Sequence, residues 1–162
     1  MSRGKKVKLM KVSSATSPDD VERINAFFNS TEIKTDLHWF TYRDTLDRAF
    51  EREDRQLLYV DNDDGEIIGA LMVWCQSRVL DPGEAQIRLV AVSPDNRDEG
   101  LGRLLCECAE AFARRQSQDR MIADVVASAP AVEFWKSIGY DPLEEWETRG
   151  GRSMLTVQKP LD

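Results

Sequence analysis

The apolar positions change period several times along the chain, and each change marks an element. Val21, Ile24, Phe27 and Phe28 recur at helical spacing behind Ser17-Pro18-Asp19-Asp20. Ser17 suits the cap of that helix, Pro18 its first position, and Asp20 the positive end of its dipole. Leu46, Ala49 and Phe50 repeat the spacing after Thr41-Tyr42-Arg43-Asp44, which has the same capping pattern and predicts a helix over residues 42–53. Ahead of both, Val7 to Val12 alternates loosely and reads as a strand. Residues 56–60 and 67–75 form a hairpin around the turn cluster Asp61-Asn62-Asp63-Asp64-Gly65.

Residues 85–92 read as a strand whose apolar density, Leu89 to Val92, predicts burial on both faces late in its course. From Gly100 a helix begins, with Leu101, Leu104, Leu105, Cys108 and Phe112 on one face. Residues 120–126 are a strand, and residues 129–138 a short helix closed by Gly139. Strands at 142–149 and 152–159 flank the hairpin turn Gly150-Gly151. The order β-α-α-β-β-β-α-β-α-β-β predicts one mixed α/β domain over residues 1–162, with residues 1–6 a basic tail.

Composition narrows the partners. The chain of 162 residues carries a net charge of −7, which disfavours duplex nucleic acid and is compatible with an amine substrate. No apolar run approaches the roughly 18 residues of a membrane span, and the basic N-terminus has no apolar stretch behind it, so a cytoplasmic protein is expected. Cys75, Cys106 and Cys108 are odd in number and lack Cys-x-x-Cys spacing, which argues against a disulfide framework or a zinc site. The acidic turn before Gly65 fails as a calcium loop, because the position five before the glycine is Val60. No metal is expected.

The stretch with the most chemical content runs from Leu89 to Arg103: a strand, then Ser93-Pro94-Asp95-Asn96, then Arg97-Asp98-Glu99-Gly100-Leu101-Gly102-Arg103 opening a helix. The first amides of a helix lack acceptors and lie at the positive end of its dipole, so the segment can hold a diphosphate. A nucleoside-triphosphate loop would need Gly-Lys-Ser/Thr, which is absent, and a dinucleotide fingerprint would need glycine where Leu105 stands.

Arg97-x-x-Gly100-x-Gly102 after this strand resembles the acetyl-CoA motif of the Gcn5-related N-acetyltransferase (GNAT) family, Gln/Arg-x-x-Gly-x-Gly/Ala. Ala131-Val132-Glu133-Phe134-Trp135-Lys136-Ser137-Ile138-Gly139-Tyr140 is similar to a second family segment, Ala-x-x-x-Tyr-x-x-x-Gly-Phe. The resemblance implies a mixed, mostly antiparallel, twisted sheet of about seven strands flanked by about four helices. It also implies transfer of an acetyl group from acetyl-CoA to a small-molecule or protein amine, and often a homodimer. Carried over by position, Val90, Ala91 and Val92 would pair with the pantetheine arm. Arg97, Asp98, Glu99, Gly100, Leu101, Gly102 and Arg103 would hold the pyrophosphate, and Ser128 and Trp135 would touch the coenzyme.

Three positions depart from the family. Trp135 stands where a tyrosine often protonates the leaving thiolate, Ser128 where an asparagine often holds the coenzyme, and Gln86 where histone-acetylating members carry a glutamate base. The amine would then lose its proton through a water chain or to a nearby carboxylate such as Glu84 or Asp124, Asp124 as a carboxylate set among apolar neighbours. Tyr140, Cys75 or water is the candidate acid. His38, Trp39, Phe40 and Tyr42 lie where family members line the acceptor site, and His38 is the sole histidine. The competing expectation is a CoA-binding or protein-interaction module without catalysis. A longer acyl group or a hydroxyl acceptor is a third.

Overall fold

The protein is described by a computed structural model over residues 10–37 and 41–162. Seven strands form one sheet: β1 (Ser13–Ser14), β2 (Arg55–Asp61), β3 (Ile67–Trp74), β4 (Glu84–Val92), β5 (Arg120–Val126), β6 (Asp141–Glu147) and β7 (Ser153–Pro160). Their order is β1-β2-β3-β4-β5-β7-β6. All neighbours are antiparallel except β4 and β5. The parallel pair requires a crossover, and the long helix between the two strands supplies it.

Helices α1 (Pro18–Phe28), α2 (Thr31–Leu37) and α3 (Arg43–Glu51) cover one face, and α4 (Leu101–Arg115) and α5 (Ala131–Ser137) the other. Leu71, Val73, Ile87, Met121, Ala123 and Val157 meet Leu105, Ala109, Phe112 and Trp135 in the larger core. On the opposite face Leu57, Ala70 and Met72 meet Val21, Ile24, Phe28, Ile33, Leu46 and Ala49. That second core includes no residue of β5, β6 or β7. The face is therefore asymmetric: helix-covered over β2 to β4, and more polar beyond.

Local chemistry explains most boundaries. Ser17 Oγ accepts the Asp20 amide at 3.2 Å and caps α1. At the end of α5 the Tyr140 amide donates to the Trp135 carbonyl at 3.0 Å and the Gly139 amide to the Lys136 carbonyl at 3.1 Å. Gly139 takes φ of 98°, completing a Schellman stop whose apolar contact is Tyr140 on Trp135 at 4.8 Å between ring centroids.

Several expectations need correction. The first described strand is Ser13–Ser14, later than residues 7–12, of which residues 7–9 lie outside the described part with the basic tail. Thr41 does not cap α3. Its backbone is held instead by the Asn29 side chain, at 2.8 and 2.9 Å, and Tyr42 occupies the cap position without a side-chain capping bond to the helix. Helix α2 escaped notice because Thr31–Leu37 is too short to show a period, though Ile33 is buried. Strand β4 is buried at its beginning, Glu84 to Ile87, and only half-buried from Leu89 on, the reverse of what its apolar density suggests.

Candidate active site

That reversal locates the site. β4 and β5 pair from Glu84 with Arg120 to Ile87 with Ala123, and there the ladder stops. At the same point Met72 pairs with Leu89 and Val73 with Ile87, so Arg88 is an extra residue that bulges from β4. A bulge bends its strand. Beyond it β4 stays with β3 to Val92 and β5 stays with β7 to Val126, so the two parallel strands part. Among the described residues, the edge of β4 from Leu89 to Val92 that faces β5 has no strand partner. An open edge beside half-buried apolar side chains suits an extended ligand with its own amides.

The edge leads to a second set of free donors. Pro94–Asn96 makes one 3-10 turn, Asp98 takes φ of 66°, and Gly100 takes φ of 81° ahead of α4. The first return bond of the helix is from the Leu104 amide to the Gly100 carbonyl. Among the described residues, the amides of residues 98–103 have no protein acceptor, and they sit at the positive end of a 15-residue helix. Glu99 is drawn off by the Asn96 side chain, 3.3 Å from its carboxylate, and lies exposed. Gly100 is needed for its positive φ, since a Cβ there would meet nothing within 4 Å. Gly102 has a different reason: a Cβ would meet the Phe134 ring of α5 at 3.1 Å.

At the apex of the gap, on the face not covered by α4, polar side chains from four strands join. Asp124 on β5 accepts from Thr156 Oγ1 at 2.5 Å and from Gln86 Nε2 at 3.2 Å. Thr156 Oγ1 in turn accepts from Trp146 Nε1 at 3.0 Å, and Gln86 Oε1 accepts from Arg88 Nη1 at 3.0 Å. Asp124 is exposed rather than buried, which corrects the idea of a carboxylate enclosed by apolar neighbours. Gln86 and Thr156 are buried and fix both of its oxygens. Beside this cluster an open cavity of about 680 Å³ runs between the end of β5, including Ser128, and the β6–β7 hairpin at Trp146.

The sequence matches the acetyltransferase (GNAT) family over residues 22–140, most of its length. The chain belongs to the GNAT family. Its fold agrees with solved structures from that family. A GNAT acetyltransferase from Streptococcus pneumoniae matches with TM-score 0.76 at 18% identity, over 95% of this chain and 100% of the other. An aminoglycoside 6'-N-acetyltransferase complexed with coenzyme A gives 0.74 at 13% identity, over 94% and 98%. The Escherichia coli ribosomal-protein-S18-alanine N-acetyltransferase gives 0.70 at 19% identity, over 95% of both chains. At these identities the likeness is one of fold.

Several other candidates, Glu84, Tyr140 and Cys75 among them, lie away from the gap of this GNAT domain. Glu84 is buried at the far end of β4, where it accepts the Asp81 amide at 2.9 Å and pairs with Arg120, so it serves the sheet end rather than the apex. Tyr140 is 1% exposed and donates its hydroxyl to Glu110 at 2.7 Å inside the α4–α5 core. Burial, then the Glu110 charge, pushes its pKa up, which makes it a poor proton donor. Cys75 is buried, and burial pushes its thiol up to about 12. Trp135 is 5% exposed, with its ring against Phe134 and Tyr140. Ser128 is exposed at the cavity, and Tyr42 is exposed at the start of α3. His38, Trp39 and Phe40 lie outside the described residues. No helix among the described residues is long and apolar enough to cross a membrane.

The chain reading passed over Arg88, Thr156, Trp146 and Phe134. Nothing in the local sequence marks Arg88 as a bulge, because the skipped pairing becomes visible only against β3. Thr156 and Trp146 alternate on ordinary strands, and their link to Asp124 exists only through the sheet order.

Proposed function

We propose that this domain transfers an acetyl group from acetyl-CoA to a primary amine, by direct attack in a ternary complex. The observation that carries the proposal is the parting of β4 from β5 at Arg88. It leaves an open strand edge running to the unbonded amides of residues 98–103, with a carboxylate at its apex. The amides of residues 98–103 hold the pyrophosphate, and the edge from Leu89 to Val92 pairs with the amides of the pantetheine arm. Ser128 offers a hydroxyl at the mouth of the gap, and Phe134 packs against the first turn of α4 beside it.

Asp124 receives the ammonium and takes one proton from it, leaving a neutral nitrogen to attack the thioester carbonyl. The Thr156 and Gln86 bonds aim the carboxylate. Amides of β4 just beyond the bulge stabilise the oxyanion of the tetrahedral intermediate. The C–S bond then breaks, the second proton on nitrogen is lost to solvent, the thiolate takes a proton from water, and Asp124 gives its own proton up to solvent to complete the cycle. Water has this part because Trp135, Tyr140 and Cys75 are buried away from the opening. Positioning supplies much of the rate.

The test is calorimetric titration with acetyl-CoA, followed by CoA release from a panel of amines. Binding in the micromolar range, weakened strongly in Gly102→Glu, and release with at least one amine are expected. A well-folded wild type that ignores acetyl-CoA would sink the proposal. Binding with no release from any amine would favour a coenzyme-binding module.

A further inference from the structure

We infer that the acceptor is a small molecule of the amino-acid class, with a carboxylate a few bonds from its amine, and that Arg88 holds the carboxylate. The inference rests on the acetyltransferase reading above.

Five arginines among the described residues pair with carboxylates: Arg23 with Asp61, Arg43 with Glu22 and Asp47, Arg52 with Asp54, Arg103 with Glu107 and Arg120 with Glu84. Arg88 and Arg55 do not. Arg88 spends one N–H on the neutral Gln86 oxygen, and Arg55 one on the Gln76 carbonyl at 3.4 Å. Their guanidinium carbons lie 4.4 and 3.7 Å from the centroid of the same Trp74 ring. Burial lowers the pKa of Arg55, and that of Arg88 against the opposing Asp124 charge, yet the Arg88 side chain is exposed, so its other N–H groups are open to a ligand. Arg55 Nε and Trp74 Nε1 are also buried with no acceptor. An exposed guanidinium, a half-buried one and two buried donors without acceptors around one ring make a place that suits an anion.

Its position decides which anion. Arg88 is the bulge residue at the apex of the gap, where the acetyl group arrives in the proposed complex. The Asp124 carboxylate lies on the other side of the Gln86 amide, bonded to it at 3.2 Å, as Arg88 is at 3.0 Å. A cation and an anion thus stand one primary amide apart. A ligand with an amine and a carboxylate satisfies both. A polyamine would bring positive charge against Arg88, and a neutral-tailed amine would leave its fork empty. The planar guanidinium suits a carboxylate in two-point contact.

The experiment measures kcat/KM with acetyl-CoA for the twenty amino acids, their amides and their decarboxylated amines, in wild type, Arg88→Met and Arg88→Lys. At least one free acid is expected to exceed its amide and its decarboxylated amine by about tenfold or more. Arg88→Met should shrink that preference to within about threefold, mainly through KM of the acid, with acetyl-CoA affinity unchanged. Arg88→Lys, which keeps a charge on Trp74, should recover part of it. Amides or amines used as well as acids by wild type, or an undiminished preference in Arg88→Met, overturns the inference. Should no amine release CoA, calorimetry of the same amino acids against the protein decides: carboxylate-dependent binding lost in Arg88→Met supports it, and its absence overturns it. The acetyl-CoA titration reports separately on the acetyltransferase reading.

Discussion

Glu110 offers a quantitative test of how α4, and with it the proposed pyrophosphate loop, is held in place. Its side chain is 4% exposed in the core between α4, α5 and β7. One oxygen accepts the Tyr140 hydroxyl at 2.7 Å and the other accepts Lys159 Nζ at 3.0 Å. Lys159 also donates to the Ile138 carbonyl at 3.2 Å, in the end of α5. One carboxylate therefore ties together three elements that are distant in sequence. Glu110→Ala removes the anion and leaves the Lys159 charge and the Tyr140 hydroxyl facing apolar surroundings. Breaking a buried pair from one side costs about 3–5 kcal/mol. For a domain of this size each kcal/mol lowers Tm by about 2–4 °C, so a fall on the order of 10 °C is expected. Urea denaturation and a thermal scan followed by circular dichroism measure it. A triple change, Glu110→Met with Tyr140→Phe and Lys159→Met, should regain most of the loss, because no charge or donor is left orphaned. Acetyl-CoA affinity well below Tm should be nearly unchanged, since none of the three touches the gap. A Glu110→Ala cost under about 1 kcal/mol would refute the reasoning.

Three further outcomes follow from the same geometry. Asp124→Asn should lower kcat by about 100-fold or more while acetyl-CoA binding holds, and Thr156→Val should have a smaller effect in the same direction; an unchanged kcat in Asp124→Asn removes it as the base. Gly100→Ala should cost about 1–2 kcal/mol through its positive φ and Gly100→Asn less, whereas Gly102→Ala should act by displacing Phe134 and weaken acetyl-CoA more than it weakens folding. Stability should fall as pH rises above about 9: Cys75, Cys106 and Tyr140 all have raised pKa values when folded, so the unfolded chain loses protons first and the folded state binds more of them. The slope in urea titrations between pH 8 and 11 should flatten in Tyr140→Phe.

The sequence was most legible where short-range chemistry acts. Period-2 and period-3.6 patterns located β2 to β7, α1, α3, α4 and α5 within a few residues. Ser17 marked a cap through its side-chain hydroxyl, and Gly65, Gly100, Gly139 and Gly151 marked caps and turns through positive φ, which few residues adopt. The segment proposed to hold the pyrophosphate was legible as structure for the same reason, since it is a local strand, turn and helix start. Residues whose roles depend on neighbours were not. Tyr140 and Glu84 looked like candidate acid and base, yet Glu110 and Arg120 claim them in the interior and at the sheet end.

What the sequence determined alone is therefore the order of most elements, the local strand, turn and helix start over residues 89–103, and the family. The tertiary structure decided the rest. Apolar density on β4 suggested two buried faces, but the bulge at Arg88 and the end of pairing at Ile87 turned that stretch into an open edge. Asp124, Thr156, Gln86 and Arg88 come from three strands and meet only because β5 lies between β4 and β7. Hydrogen bonding within a few residues is written in local sequence, whereas register and strand order arise from the whole core packing at once, and the apex chemistry depends on both.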